Sequence, residues 1–149
     1  MILFRTVLAG LLLAALAPAA LAAPVNFSGN WSIDLRSETQ RGRKVECGVA
    51  TFILTQAGDR ISGEHTFATP GCSRLNEGGD GTVKGLVVGS TAVLVVTSGR
   101  NGAILLGRAR LQGERLEWET VDDVHPGEPE GDSPLILAKG TLTRQILNK

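Results

Sequence analysis

Few side chains in this sequence could do chemistry, and the cysteines are the first of them. Cys47 and Cys72 are the only cysteines of the chain. A zinc site needs four ligands, and too few candidate ligands accompany this pair. An even number of cysteines in an oxidising compartment favours a disulfide. The sequence therefore predicts a bond between Cys47 and Cys72.

The pattern of the other reactive side chains gives little support to catalysis. The two histidines, His65 and His125, fall on different segments. No serine stands in a nucleophile-elbow context, and no glycine-rich stretch precedes a helix that could bind phosphate. We therefore expect a protein that is not an enzyme and that needs no cofactor.

The elements that must position these side chains are β-strands. Hydrophobic residues alternate with a period of two, interrupted at short intervals by Gly, Asp and Ser, and no segment has a helical period. The predicted strands are 31–35, 49–56, 60–67, 81–88, 91–97, 102–111, 115–121 and 135–144. This pattern predicts an all-β fold, an eight-stranded antiparallel up-and-down barrel.

The register of three hairpins follows from their turns, because directly opposed residues must point to the same face. Two-residue turns at 58–59, 89–90 and 112–113 place apolar side chains on one face and charged ones on the other. The third turn sets Trp118, the bulkiest side chain, opposite Gly107.

The connections alternate in length, which predicts two unlike ends. Those near residues 58, 89 and 113 are tight, whereas those at 36–48, 68–80 and 122–133 are long. In an up-and-down barrel alternate connections lie at the same end. We call the end with the tight turns the closed end and the other the open end. Both cysteines fall at the open end on adjacent strands, where a disulfide would clamp the rim.

Trp31 on the first strand and Arg144 on the last are predicted neighbours at the closed end, where the guanidinium stacked on the indole would plug the barrel. The Gly29-x-Trp31 motif together with Arg144 resembles the signature of the lipocalins and the wider calycin group, which includes the avidins. The resemblance implies a barrel whose open end admits small, mostly apolar ligands. The chain is also similar to small periplasmic inhibitors of bacterial metalloproteases, which combine a Gly-x-Trp first strand, an eight-stranded barrel and one disulfide.

The inward side chains predict the lining of a ligand site. An apolar chamber supplies affinity through buried area, and a few polar groups orient the ligand. His65 and Thr120 are the polar candidates. The predicted ligand-binding residues are Phe52, His65, Phe67, Leu105, Trp118 and Thr120. The alternative is that side chains fill the barrel, since eight strands enclose just enough space for them.

Two charged segments are predicted to meet on the open rim. Residues 36–44 are basic and residues 122–132 are acidic. Mutual attraction explains the pair most simply, and a protein partner is an alternative. Acidic oxygens also suit Ca²⁺, but the spacing matches no calcium loop, so no metal site is assigned.

The N-terminus has the features of a signal peptide. An apolar run precedes the small-x-small pattern Ala20-Leu21-Ala22, which predicts cleavage after Ala22 or Ala23. Residues 24–149 then form one exported domain, periplasmic or secreted, with no lipid anchor and no later membrane span. Acidic and basic side chains both number 15, so the loss of Arg5 with the leader gives a net charge of about −1. Nothing in this balance points to nucleic acid.

One predicted outer face, on strands four to six, is almost uncharged. It carries Leu86, Val93, Val95 and Leu106. Such a patch predicts a subunit contact, and we expect a homodimer through it. The function predicted from the sequence is binding of a small apolar ligand at the open end. The alternative is a protein-interaction module, such as a protease inhibitor, that acts through its rim loops.

Overall fold

The chain folds into a closed antiparallel barrel. The computed structural model describes residues 25–129 and 135–146, so the predicted signal peptide, residues 1–23, lies outside the described residues. The strands pair in chain order, and β8 returns to pair with β1. They are β1 (Gly29–Asp34), β2 (Val49–Ala57), β3 (Arg60–Ala68), β4 (Leu75–Val88), β5 (Thr91–Thr97), β6 (Ile104–Gln112), β7 (Arg115–His125) and β8 (Lys139–Arg144). The predicted eight-stranded up-and-down barrel is confirmed.

Three tight turns set the register at the closed end, and each begins with a glycine. Gly58, Gly89 and Gly113 have φ angles of 63°, 62° and 61°, in the left-handed region that glycine enters without steric cost. The register predicted for the first two hairpins is confirmed. In the first, for example, Phe52 pairs with His65.

The register predicted for the third hairpin is wrong. Gly113 takes the first turn position rather than the second, so Trp118 faces Ala109 instead of Gly107. The pairing moves by two residues, which keeps each side chain on its predicted face. Trp118 still lies over Gly107, where an added Cβ would clash with the indole ring.

Several element boundaries differ from those predicted. β4 begins at Leu75 rather than at residue 81, β7 runs on to His125, and β8 begins only at Lys139. A short helix, α1 (Glu38–Gly42), lies in the connection between β1 and β2 and begins at a capping box formed by Ser37. None of the helices among the described residues has the length and hydrophobicity that crossing a bilayer requires.

β4 is long because it contains a bulge. Gly63 pairs with Val83, whereas His65, two residues further along β3, pairs with Gly78. Residues 79–82 of β4 therefore lie opposite Glu64 alone, so β4 has three more residues here than β3. The bulge bends this strand and re-aims its side chains toward the barrel interior beside His65.

The closed end is fastened by Arg144. Its guanidinium carbon lies 4.1 Å from the ring centroid of Trp31, which is fully buried. The same guanidinium donates hydrogen bonds to the carbonyl of Ser28 and to the carboxylate of Glu114. The indole Nε1 of Trp31 donates to the carbonyl of Phe27 at 2.9 Å. These contacts join the residues before β1, the end of β8 and the β6–β7 turn.

The open end is fastened by the predicted disulfide, which is confirmed. It links Cys47, just before β2, to Cys72 in the β3–β4 connection, with the Cα atoms 5.3 Å apart. The backbone N–H of Gly71 donates to the carbonyl of Glu46 at 2.9 Å beside it. A crosslink with a sequence separation of 25 residues contributes roughly 3 kcal/mol by restricting the unfolded chain.

Candidate functional site

Three of the predicted ligand-binding side chains form an aromatic cluster inside the barrel. The ring centroid of Phe52 lies 5.2 Å from that of Phe67 and 4.9 Å from that of Trp118. None of the three is more than 2% exposed. Rings at these separations are in contact, so the three side chains fill this part of the barrel interior.

Leu105 on β6 and Thr120 on β7 also belong to the predicted site. Leu105 is 8% exposed and Thr120 is half-buried. The hydroxyl of Thr120 donates to the carbonyl of Leu137 at 3.4 Å. Trp118 donates to the same carbonyl, so the structure places Thr120 beside the aromatic cluster.

Leu137 covers this region of the interior, although the strand predicted for residues 135–144 would include it. The pairing of β7 with β8 stops at Glu119 and Lys139, and the chain before Lys139 turns inward. Leu137 is 4% exposed and packs in the core, and its carbonyl accepts a hydrogen bond from Trp118 Nε1 at 2.9 Å. The apolar sequence Leu-Ile-Leu of residues 135–137 is typical of a buried strand, so periodicity alone could not distinguish the two conformations.

His65, the other predicted polar group, is held in a buried hydrogen-bonded cluster. Its side chain is 1% exposed. Nδ1 lies 3.2 Å from the hydroxyl oxygen of Thr82, and Nε2 lies 3.2 Å from Oδ1 of Asn76. The Thr82 hydroxyl also donates to the carbonyl of Gly79 at 2.8 Å. Asn76 was not predicted, because the alternation does not show that β4 begins before its bulge.

The electrostatics of this cluster favour a neutral imidazole. Burial lowers the pKa of His65 below its ordinary value, and the hydrogen bond with Asn76 opposes this only in part. A neutral imidazole donates from one nitrogen only. Thr82 and Asn76 both present an oxygen to the ring, so a second proton would complete both hydrogen bonds but would bury a charge.

The charged segments of the rim are not joined to each other by an ion pair among the described residues. Arg36 pairs instead with Asp34, at 2.9 Å, and the other ion pairs lie on β6–β8 and at Arg144. Residues 130–132 of the acidic segment lie outside the described residues. Elsewhere in the chain, within 25–129 and 135–146, no three His, Cys, Asp or Glu side chains are placed to hold a metal ion.

The predicted apolar outer face is present, with one member less exposed than the rest. Leu86 is 49% exposed, Val93 and Val95 are each 39% exposed, and Leu106 is half-buried. A second exposed region was missed because the predicted β7 ended at residue 121. In the end of β7, residues 121–125 are all exposed, and these include Val121 and Val124.

Comparisons with protein-family models, with curated proteins and with solved structures found no match to this chain. The closed eight-stranded antiparallel barrel is compatible with a lipocalin-like fold. It carries the Gly29-x-Trp31 motif beside Arg144, the feature on which the resemblance to lipocalins was based.

Proposed function

We propose that the protein binds a small apolar ligand in the open half of its barrel. The observation that carries this proposal is the mixed lining of that region, where His65 lies against Phe67 of the aromatic cluster and Thr120 shares the Leu137 carbonyl with Trp118. Burial of polar groups costs free energy unless hydrogen bonds compensate it; here both side chains are hydrogen-bonded, so they are fixed polar positions in an otherwise apolar interior. A ligand site needs both apolar area and a few polar groups that set orientation.

In this proposal the protein binds without catalysing a reaction, and it does so outside the cytoplasm. The Cys47–Cys72 disulfide is a crosslink of the kind that persists in an oxidising compartment. Export would depend on the predicted signal peptide.

Native mass spectrometry of the oxidised protein, purified from its host, tests this function. We expect a small molecule bound in stoichiometric amount and released by organic solvent. His65→Leu keeps an apolar filling but removes a polar group, and it should weaken or abolish the adduct. Ile61→Leu is the matched control, because Ile61 is also buried, at 3% exposed, but lies near the β2–β3 turn. A clean apo mass, repeated after incubation with host extract, would overturn the proposal.

A second function, binding of a protein partner at the open rim, is favoured by the exposed end of β7. Val121 and Val124 are 58% and 57% exposed, and Asp122 and Asp123 lie between them. Exposed apolar side chains can mark a protein contact, and polar side chains are typical of its rim. If this function is the correct one, Asp122→Lys with Asp123→Lys should prevent capture of a partner from host extract and leave any small-molecule adduct unchanged.

A further inference from the structure

We infer that residues 135–137 occupy the ligand site in the described conformation, and that the ligand is an apolar molecule with a neutral carbonyl oxygen. This inference rests on the proposed function and specifies its ligand. It depends on the geometry around one backbone oxygen, the carbonyl of Leu137.

Two side-chain donors from β7 converge on that oxygen. Trp118 Nε1 donates to it at 2.9 Å, and the Thr120 hydroxyl donates at 3.4 Å. The side chain of the same residue, Leu137, is buried against the core. Leu137 therefore provides both an apolar side chain and a carbonyl oxygen. In our inference, these occupy the position of the proposed ligand and accept the hydrogen bonds of Trp118 and Thr120 that the ligand would use.

The segment that supplies these groups packs against the core but lies outside the strand ladder. The β7–β8 ladder begins at Glu119 and Lys139. Between that pair and Leu137, the backbone contact is the hydrogen bond from Thr120 N–H to Ala138 O at 2.7 Å. Withdrawal of 135–137 breaks no strand pairing, whereas removal of any residue of β8 itself would break the ladder.

The donors also determine the chemistry of the ligand. The indole N–H can only donate a hydrogen bond. A complex that left it buried without an acceptor would be destabilised. A hydrocarbon cannot replace the Leu137 carbonyl in this respect. A carboxylate could accept the hydrogen bond but would bury a charge, because both groups that donate to the oxygen are uncharged. A neutral ketone, ester or amide meets both conditions.

Calorimetric titration of the oxidised protein with three matched probes tests the inference. The probes are benzylacetone, which has a neutral carbonyl, butylbenzene, which has no oxygen, and phenylpropionate, which is charged. Because Leu137 competes with the ligand, Leu137→Ala should bind benzylacetone about tenfold more tightly than the wild type does. In both proteins benzylacetone should bind more tightly than the other two probes and should shift the Trp118 indole N–H resonance.

Leu142→Ala is the matched control, since it also truncates a fully buried leucine but lies within the β8 ladder, paired with Leu116. It should not tighten binding. If Leu137→Ala does not fold, Leu137→Val makes a smaller change in the same direction, and a smaller gain in affinity is expected.

Each alternative result has a separate meaning. If the wild type binds the probes and neither Leu137 variant binds more tightly, the inference is wrong and the proposed function stands. The same holds if Leu142→Ala tightens binding equally. Equal binding of butylbenzene and benzylacetone would overturn the ligand class. If no probe binds to any variant and no adduct is found by native mass spectrometry, the proposed function itself fails.

Discussion

The two tryptophans of the chain mark the difference between the two ends of the barrel. Trp31, at the closed end, and Trp118, toward the open end, each donate an indole hydrogen bond to a backbone carbonyl at 2.9 Å. The acceptor of Trp31 is Phe27, in the residues that lead directly into β1. The acceptor of Trp118 is Leu137, in a segment outside the strand ladder.

The surroundings of the two rings differ in the same way. Arg144 stacks on Trp31 and joins three parts of the closed end. Trp118 packs against Phe52 with the two ring planes tilted by 56°, and its hydrogen-bond acceptor lies in a segment outside the strand ladder. Trp31 is therefore fastened to several parts of the closed end, whereas Trp118 is fastened to a segment that no strand pairing holds. Burial of an aromatic residue does not by itself separate a structural role from the binding role that we propose at Trp118.

Truncation of the two tryptophans is expected to change the free energy of unfolding most, and it tests whether the two ends differ. Trp31→Ala should lower the free energy of unfolding by about 3–5 kcal/mol, because the ring is fully buried and its neighbours are held in place. Trp118→Ala should cost less, because residues 135–137 can move into the space. Chemical denaturation measures both. Equal losses would mean that residues 135–137 are held as firmly as the groups around Trp31.

Removal of the disulfide is expected to have the next largest effect and to act mainly on the open end. Cys47→Ser with Cys72→Ser should lower the free energy of unfolding by roughly 3 kcal/mol. Hydrogen exchange should become faster at Gly71, whose N–H bonds to Glu46, and should change little at Arg144, whose N–H bonds to Glu114. Uniform loss of protection across the barrel would contradict the separation of the two ends.

The sequence predicts the closed end better than the open end, for a physical reason. A tight turn with glycine at a positive φ leaves few alternative registers, so the pairing of Phe52 with His65 could be read from the turn at Gly58. The third turn shows the limit, since the sequence does not indicate which of the two turn positions Gly113 takes. The alternation of hydrophobic residues still predicts the inward face of this third hairpin correctly.

The open end depends on features that alternation does not show. The β4 bulge sets residues 79–82 opposite a single residue of β3 and brings Asn76 and Thr82 to His65, although their spacing fits no simple strand. The inward turn of Leu137 depends on donors from β7, which are distant in the sequence. The structure brings Phe67 and Trp118 into contact with Phe52, all on the inward face that alternation predicts. The hydrogen-bond partners of His65 and Thr120 lie in segments whose conformation alternation does not predict.

The free energy of unfolding should depend on pH through His65, which lies in the barrel interior and not in the contacts around Arg144. Its folded-state pKa lies below the ordinary value of 6.5 because of burial, so the unfolded chain binds the proton more readily. Stability is then fully present above pH 6.5 and decreases as the pH falls from there toward the folded-state pKa. The slope from one group is at most about 1.4 kcal/mol per pH unit.

His65→Gln should remove this component of the pH dependence while it keeps a side chain that can hydrogen-bond in the same cluster. Denaturation curves between neutral and mildly acidic pH, compared for the two proteins, measure the difference. If the variant retains the wild-type slope over this range, the buried imidazole is not its source.

The smallest effect is expected at Asp34, where β1 leaves the barrel toward the open rim. Hydrogen bonds from the side chain and backbone of Arg36 lower the pKa of this carboxyl from 3.8 to about 2. Because the folded-state pKa is depressed, the carboxylate favours the folded state above pH 3.8, and that contribution is lost as the pH falls through about 2. The pair is at the surface, where solvent and salt weaken it, so little change in overall stability is expected on its removal.

Arg36→Ala should instead return the Asp34 pKa toward 3.8 in a carbon-13 titration. The pKa of Glu119, which Arg108 lowers on the outer face of β7, should stay unchanged. A shift of both carboxyls would show that the rim is coupled to the barrel wall, contrary to the independence of the two regions.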